Sequence, residues 1–134
     1  MFASARNPVN AYAQVSIDSA VQSADPHRLI LLLFQGAESA IALAKESVRQ
    51  NNFGGKAQAL SKAIDIINNG LLASLDKEAG GEIAEKLAAL YEYMSTRLLH
   101  ANIKNDVNAM DEISILLGEI RSAWEEIAPT PSQY

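Results

Sequence analysis

The 134-residue chain has no cysteine. That excludes disulfides, thiolate chemistry and cysteine-held metals. It also lacks any apolar run approaching the roughly 20 residues of a membrane span. The opening residues, MFASARNPVNAYAQ, carry no continuous apolar stretch of the kind that marks a secretory signal. A cytoplasmic protein is therefore expected. Positive charge is in deficit, with 11 Lys and Arg against 16 Asp and Glu, a net charge of -5 and a pI near 4.9. Affinity for nucleic acid rests on basic side chains neutralising phosphates, so a nucleic-acid partner is not expected. Aromatic residues make up only 6%. Alanine and leucine dominate instead, and both favour helix. The length suits one domain with a real core.

Proline and glycine divide the chain. Asp25-Pro26 is a helix start, with aspartate as N-cap and proline in the first helical position. The first long helix is expected to reach about Asn51, where NNFGG stops it. A second runs from about Lys56 to Leu75 and a third from about Glu82 to Asn102, after the turn DKEAGG. A fourth starts at Asp106 and ends near Ile127. Both glycine pairs, Gly54-Gly55 and Gly80-Gly81, read as inter-helix turns. Stripes at helical period support the last three helices. They are Leu60, Ile64, Ile67, Leu71 and Leu75; Ile83, Leu87, Leu90, Met94 and Leu98; and Met110, Ile113, Leu117, Ile120, Trp124 and Ile127. The expected fold is all-α, an antiparallel four-helix bundle over residues 25–128. Residues 1–24 form a leader with a weaker helical pattern, expected to pack on the bundle as a cap. Residues 129–134 form a disordered tail.

The first long helix carries two apolar faces. Its core stripe is Ile30, Phe34, Ala37, Ile41, Ala44 and Val48. Leu29, Leu32, Gly36 and Leu43 make a second, and LILLLF, including Leu33, is apolar almost all round. Large apolar patches rarely stay bare, so something must cover the second face. The candidates are the leader, through Tyr12, Ile17 and Val21, and a partner competing for the same place. Leu99 and Ile115 lie off their stripes, on the backs of their helices.

No reactive constellation emerges. A di-metal bundle needs Glu-x-x-His on two helices, but Ala24 and Arg97 stand three residues before His27 and His100. His27 reads as a surface residue, and His100 as a solvated side chain near a helix C-terminus. Neither glycine pair follows a strand, so neither is a phosphate loop. Arg97 and Arg121 are expected to lay their stems on apolar surface with their heads in water. With no cofactor, metal or catalytic residue implied, a binding module is expected rather than an enzyme.

The chain resembles the flagellin-specific export chaperones of bacterial flagella. The segments carrying the resemblance are Tyr12, DPHRLILLLFQGA, SLDKEAGGEIAEKLAALYEYMSTRLLHAN and LLGEIRSAWEEI. The most specific are Gly80-Gly81-Glu82-Ile83-Ala84, Leu90-Tyr91, Tyr93-Met94 and Arg97-Leu98, with Ala123-Trp124 beyond. Gln35 and Glu92 stand where the family usually has aspartate. The resemblance implies a cytosolic bundle that binds the disordered C-terminal segment of flagellin. Such a protein prevents premature polymerisation and delivers flagellin to the flagellar type III export gate. It also implies an N-terminal segment able to lie over the hydrophobic site that flagellin takes. A co-chaperone on the same surface and a homodimer both remain compatible with the sequence. So does a self-associating bundle that binds no flagellin.

The expected flagellin groove combines Tyr12 of the leader, Leu29, Leu32, Leu33, Gly36 and Leu43 of the first long helix, and Ala84, Ala88 and Tyr91 of the third. On an ideal helix Tyr91 shares a shoulder with Ala84, Ala88 and Ser95, small residues that leave a shallow channel. A neighbouring or foreign helix could enter it. Tyr93 falls on the opposite, wetter shoulder with Lys86, Arg97 and His100.

Overall fold

The computed structural model describes residues 25–127. The leader, Tyr12 within it, and the tail lie outside the described residues. Four helices follow one another: α1 (Pro26–Arg49), α2 (Phe53–Asp65) continued by a π-helical segment (Ile66–Leu72), α3 (Lys77–Lys104) and α4 (Val107–Glu126). Each helix packs against the next, and α4 returns to α1. Short connections make sequential helices antiparallel, so the four form a square bundle.

Three aspartates and an asparagine start the helices. Asp25 accepts the Arg28 amide at 2.8 Å and Asp106 accepts that of Ala109 at 3.1 Å. Asp76 accepts both Glu78 and Ala79 amides. Asn52 accepts the Gly55 amide at 2.9 Å. Each bond satisfies an N–H that a helix start leaves without an intrahelical partner.

Neither glycine pair is a simple inter-helix turn. Gly54-Gly55 lies in the first turn of α2. A Cβ at Gly55 would stand 2.6 Å from the Asn52 side chain, so the cap needs glycine there. Gly80-Gly81 lies inside α3, where Gly81 (φ 56°, ψ -129°) bends the chain in a region closed to other residues. The regular helix resumes at Glu82.

The second helix departs from a regular helix over Ile66–Leu72. Asn68, Asn69 and Gly70 are weak helix formers, which lowers the cost of widening the turn. The wider turn buries adjacent pairs, Ile66 with Ile67 and Gly70 with Leu71. Ile66 thereby faces α1: its Cδ1 lies 3.4 Å from where a Gly36 Cβ would be. Asn68 turns to α3 and accepts the Ser95 hydroxyl at 2.6 Å.

The core lies where the stripes meet. Phe34, Ile41, Leu60, Ile67, Leu71, Met94, Leu98, Met110, Ile113 and Leu117 are fully buried. Each contributes about 1.5–3 kcal/mol relative to exposure. Two stripe members are not covered: Ile83 and Ile127 are exposed. Leu99 and Ile115 point to solvent as their positions imply, and so does Ile103.

Charged residues do more than solvate the surface. Lys56 is buried, and its ammonium donates to the Asn102 carbonyl at 2.7 Å and to Asn105 Oδ1 at 2.6 Å. It closes the C-terminal end of α3, where carbonyls lack intrahelical donors. Arg97 and Arg121 do not merely keep their heads in water. Arg97 pairs with Glu112 on α4 at 3.1 Å, and Arg121 pairs with Glu38 on α1 at 2.7 Å and Glu125 at 3.2 Å. The acceptors on α4 and α1 come from packed neighbours, which helical spacing alone does not reveal.

Glu112 also accepts the Tyr93 hydroxyl. This bond first, and then Arg97, holds its carboxyl below the usual range. A depressed folded value means that stability is present above the unfolded value, about 4.3, and is lost as pH falls through the folded one. Glu112→Gln should therefore lose less melting temperature than the parent between pH 7 and pH 3, measured by circular dichroism. Parallel losses in the two proteins would show that the triad contributes nothing to acid sensitivity.

Candidate binding cleft

Among the described residues, one end of the bundle is open. Ile30 and Phe34 of α1, Leu71 of the π segment with Ser74 and Leu75 beyond it, and Ile120 and Trp124 of α4 form three sides. Asp76, Ala79, Gly80, Ile83, Ala84, Leu87 and Tyr91 close the fourth. The cleft encloses about 410 Å³ and its walls are almost wholly apolar. Ile83 stands on the inward stripe of α3, yet it is 71% exposed. Its stripe runs past the part of the bundle that its neighbours cover. An aliphatic side chain aimed inward without a partner is what an apolar docking site presents.

Local chemistry shapes the cleft. The Gly81 bend carries Ala79 and Gly80 to its edge. Tyr91 forms its floor, 3% exposed, with its ring 6.5 Å from that of Phe34 and tilted by 55°. Burial pushes the Tyr91 hydroxyl well above its ordinary range, so it stays neutral. Trp124 forms a side wall. Its indole stacks on His27 with centroids 4.6 Å apart and planes 7° from parallel. His27 is therefore not a free surface residue, because α4 returns to lie against its ring.

The expected groove residues divide among several places. Ala84 and Tyr91 line the cleft, and Leu33 lies in the adjoining core. Leu29, Leu32 and Ala88 are buried. Gly36 faces Ile66, so the chain's own second helix covers that part of the second face. Leu43 stands apart, 59% exposed. Ser95, on the Tyr91 shoulder, meets Asn68 of the π segment, so a neighbouring helix enters the channel there. Tyr93 is exposed beside Glu112. Ile83, Leu75, Ile120 and Trp124 all read as core in the sequence. One available signal was the position of Ile83, first in its stripe and two residues beyond a Gly-Gly pair.

The described residues form an all-helical bundle with an apolar cleft at one end. The family described as Flagellar protein FliS matches residues 8–131. The chain is 53% identical over 124 residues to the flagellar secretion chaperone FliS of Salmonella typhimurium, covering 92% of each chain. It is 48% identical over 122 residues to that of Escherichia coli, covering 91% of this chain and 90% of that one. With the flagellar secretion chaperone FliS of Bacillus subtilis the identity is 33% over 121 residues, covering 90% and 86%. The chain belongs to the FliS family of flagellar secretion chaperones. Among the described residues, no helix is long and apolar enough to cross a membrane.

Proposed function

We propose that this chain binds the disordered C-terminal segment of flagellin in the cytosol and holds it from polymerising. It then delivers flagellin to the flagellar type III export gate and acts without catalysis. The open apolar cleft carries this reading, and Ile83 is its central feature. A disordered segment loses conformational freedom when it binds, at about 2–5 kcal/mol of the gross interaction energy. Apolar surface prepared on a rigid bundle offsets that loss, by seating an amphipathic helix or extended strand of the partner. Family membership and the relatives' common name as flagellar secretion chaperones support the same reading.

In this reading residues 1–24 cover the apolar site when flagellin is absent, with Tyr12 among the covering residues. Such a cover lowers apparent affinity, because only the open fraction binds. Removing residues 1–24 should therefore raise the affinity for flagellin.

Titration of the chain with soluble flagellin, and with flagellin lacking its C-terminal segment, tests the reading by calorimetry. One-to-one binding with a large negative heat-capacity change, lost on truncation, is expected. Absence of binding to either form would overturn it and leave a self-associating bundle as the better account. The exposed Leu99, Ile103 and Ile115 would then be the first contacts to test.

A further inference from the structure

The first turn of α1 and the last turn of α4 are joined by a reciprocal clasp. Trp124 donates its indole N–H to the His27 carbonyl at 2.9 Å. His27 Nε2 lies 2.6 Å from the Trp124 carbonyl. A carbonyl only accepts, so Nε2 carries the proton in this contact. The two rings also stack, nearly parallel. Each residue thus uses both its ring and its backbone oxygen on the other, across 97 positions of sequence.

The location gives the clasp its meaning. Helix ends fray, because their terminal groups lack intrahelical partners. His27 follows Pro26 at the start of α1, and Trp124 lies two residues from the end of α4. Left alone, both turns would open readily. Both adjoin the cleft: Ile30 and Ile120, one turn inward on each helix, line it together with the Trp124 indole.

The geometry points to His27 as a positioning residue for partner binding, holding the Trp124 indole in place as a wall of the apolar cleft. The part of this inference that concerns flagellin rests on the function proposed above. His27 need not touch the partner. It acts through Trp124, by keeping two helix ends closed so that an incoming aliphatic side chain meets a finished wall. The benefit is preorganisation: a wall already ordered does not have to be ordered on binding.

The chain has a single tryptophan, so its fluorescence reports on the clasp directly. The experiment compares the full chain with His27→Ala and His27→Phe, the second keeping a ring but losing the donor. Three quantities are read: Trp124 emission with acrylamide quenching, flagellin affinity by calorimetry, and thermal unfolding. In His27→Ala the emission should move to the red and quenching should rise. Affinity should fall about tenfold, the scale of one well-placed contact. The melting temperature should move little, because the core stripes remain intact. His27→Phe should recover part of the affinity, and it decides the matter if the alanine variant does not fold.

Unchanged emission and quenching in both variants would overturn the inference. So would altered emission with flagellin affinity unchanged. If the parent chain fails to bind flagellin, the proposed function falls by itself. Binding of the apolar dye anilinonaphthalene sulfonate, with Ile83→Asp as the cleft-blocked control, then judges the clasp alone. Equal dye affinity in parent and His27→Ala would overturn it.

Discussion

Ile83→Asp should reduce affinity for flagellin by at least about 100-fold, equivalent to ~2.7 kcal/mol, while the bundle stays folded. Losses of this size come from side chains that a bound partner packs around and desolvates. Ile83 lines the open cleft, and it is largely exposed on the bundle. Its truncation therefore removes little native packing. The aspartate would also be desolvated beneath a bound partner, which adds to the loss. Within the bundle the change costs little beyond helix propensity, about 0.5 kcal/mol. Calorimetric titration together with a thermal melt separates the two effects. Affinity within about threefold of the parent, less than 1 kcal/mol, would show that the partner does not use this cleft.

Tyr91→Ala should act mainly on stability. The ring is almost wholly buried between Phe34 and the cleft. Aromatic-to-alanine changes in packed cores cost about 3–5 kcal/mol. For a domain of this size that corresponds to a fall of more than about 10 °C in melting temperature. Flagellin affinity should fall as well, because the cleft floor collapses or fills with water. Tyr91→Phe should preserve most of both quantities. If Tyr91→Ala leaves stability and affinity unchanged, the ring is neither core nor floor, and the description of the cleft is wrong.

The contrast between these residues follows from their places on one helix. Ile83 and Tyr91 are two turns apart on α3, and both line the same cleft. One is covered by its neighbours and the other is not. Hydrophobic character alone would assign both to the core. What separates them is where the other three helices end.

Local signals in the sequence were enough for the four helices and for the starts at Asp25-Pro26 and Asp106, whereas α2 and α3 begin earlier than the expected Lys56 and Glu82, at Phe53 and Lys77. Asp25-Pro26, Asp76 and Asp106 cap helices because a short carboxylate reaches the free amides of the next turn. The stripes of α2, α3 and α4 made the bundle legible, since period 3.6 leaves one apolar face to bury. The two-faced character of α1 was legible too. Its cover at Gly36 was not, because Ile66 reaches α1 only through the wide turn of the π segment. That turn answers to contacts on both sides, Gly36 on one and Ser95 on the other, which no local propensity encodes.

Residue chemistry and spacing along the chain thus determined the all-helical class, the caps at Asp25 and Asp106, most of the buried faces and the resemblance to the flagellar chaperones. Tertiary structure alone decided that Ile83 is exposed among the described residues and that Lys56 is buried as a cap. It also decided that Arg97 and Arg121 have partners on other helices and that His27 is clasped to Trp124. The physical reason is the same throughout. A residue's own helix sets the direction of its side chain, whereas its burial, pairing and exposure depend on what the rest of the chain brings there.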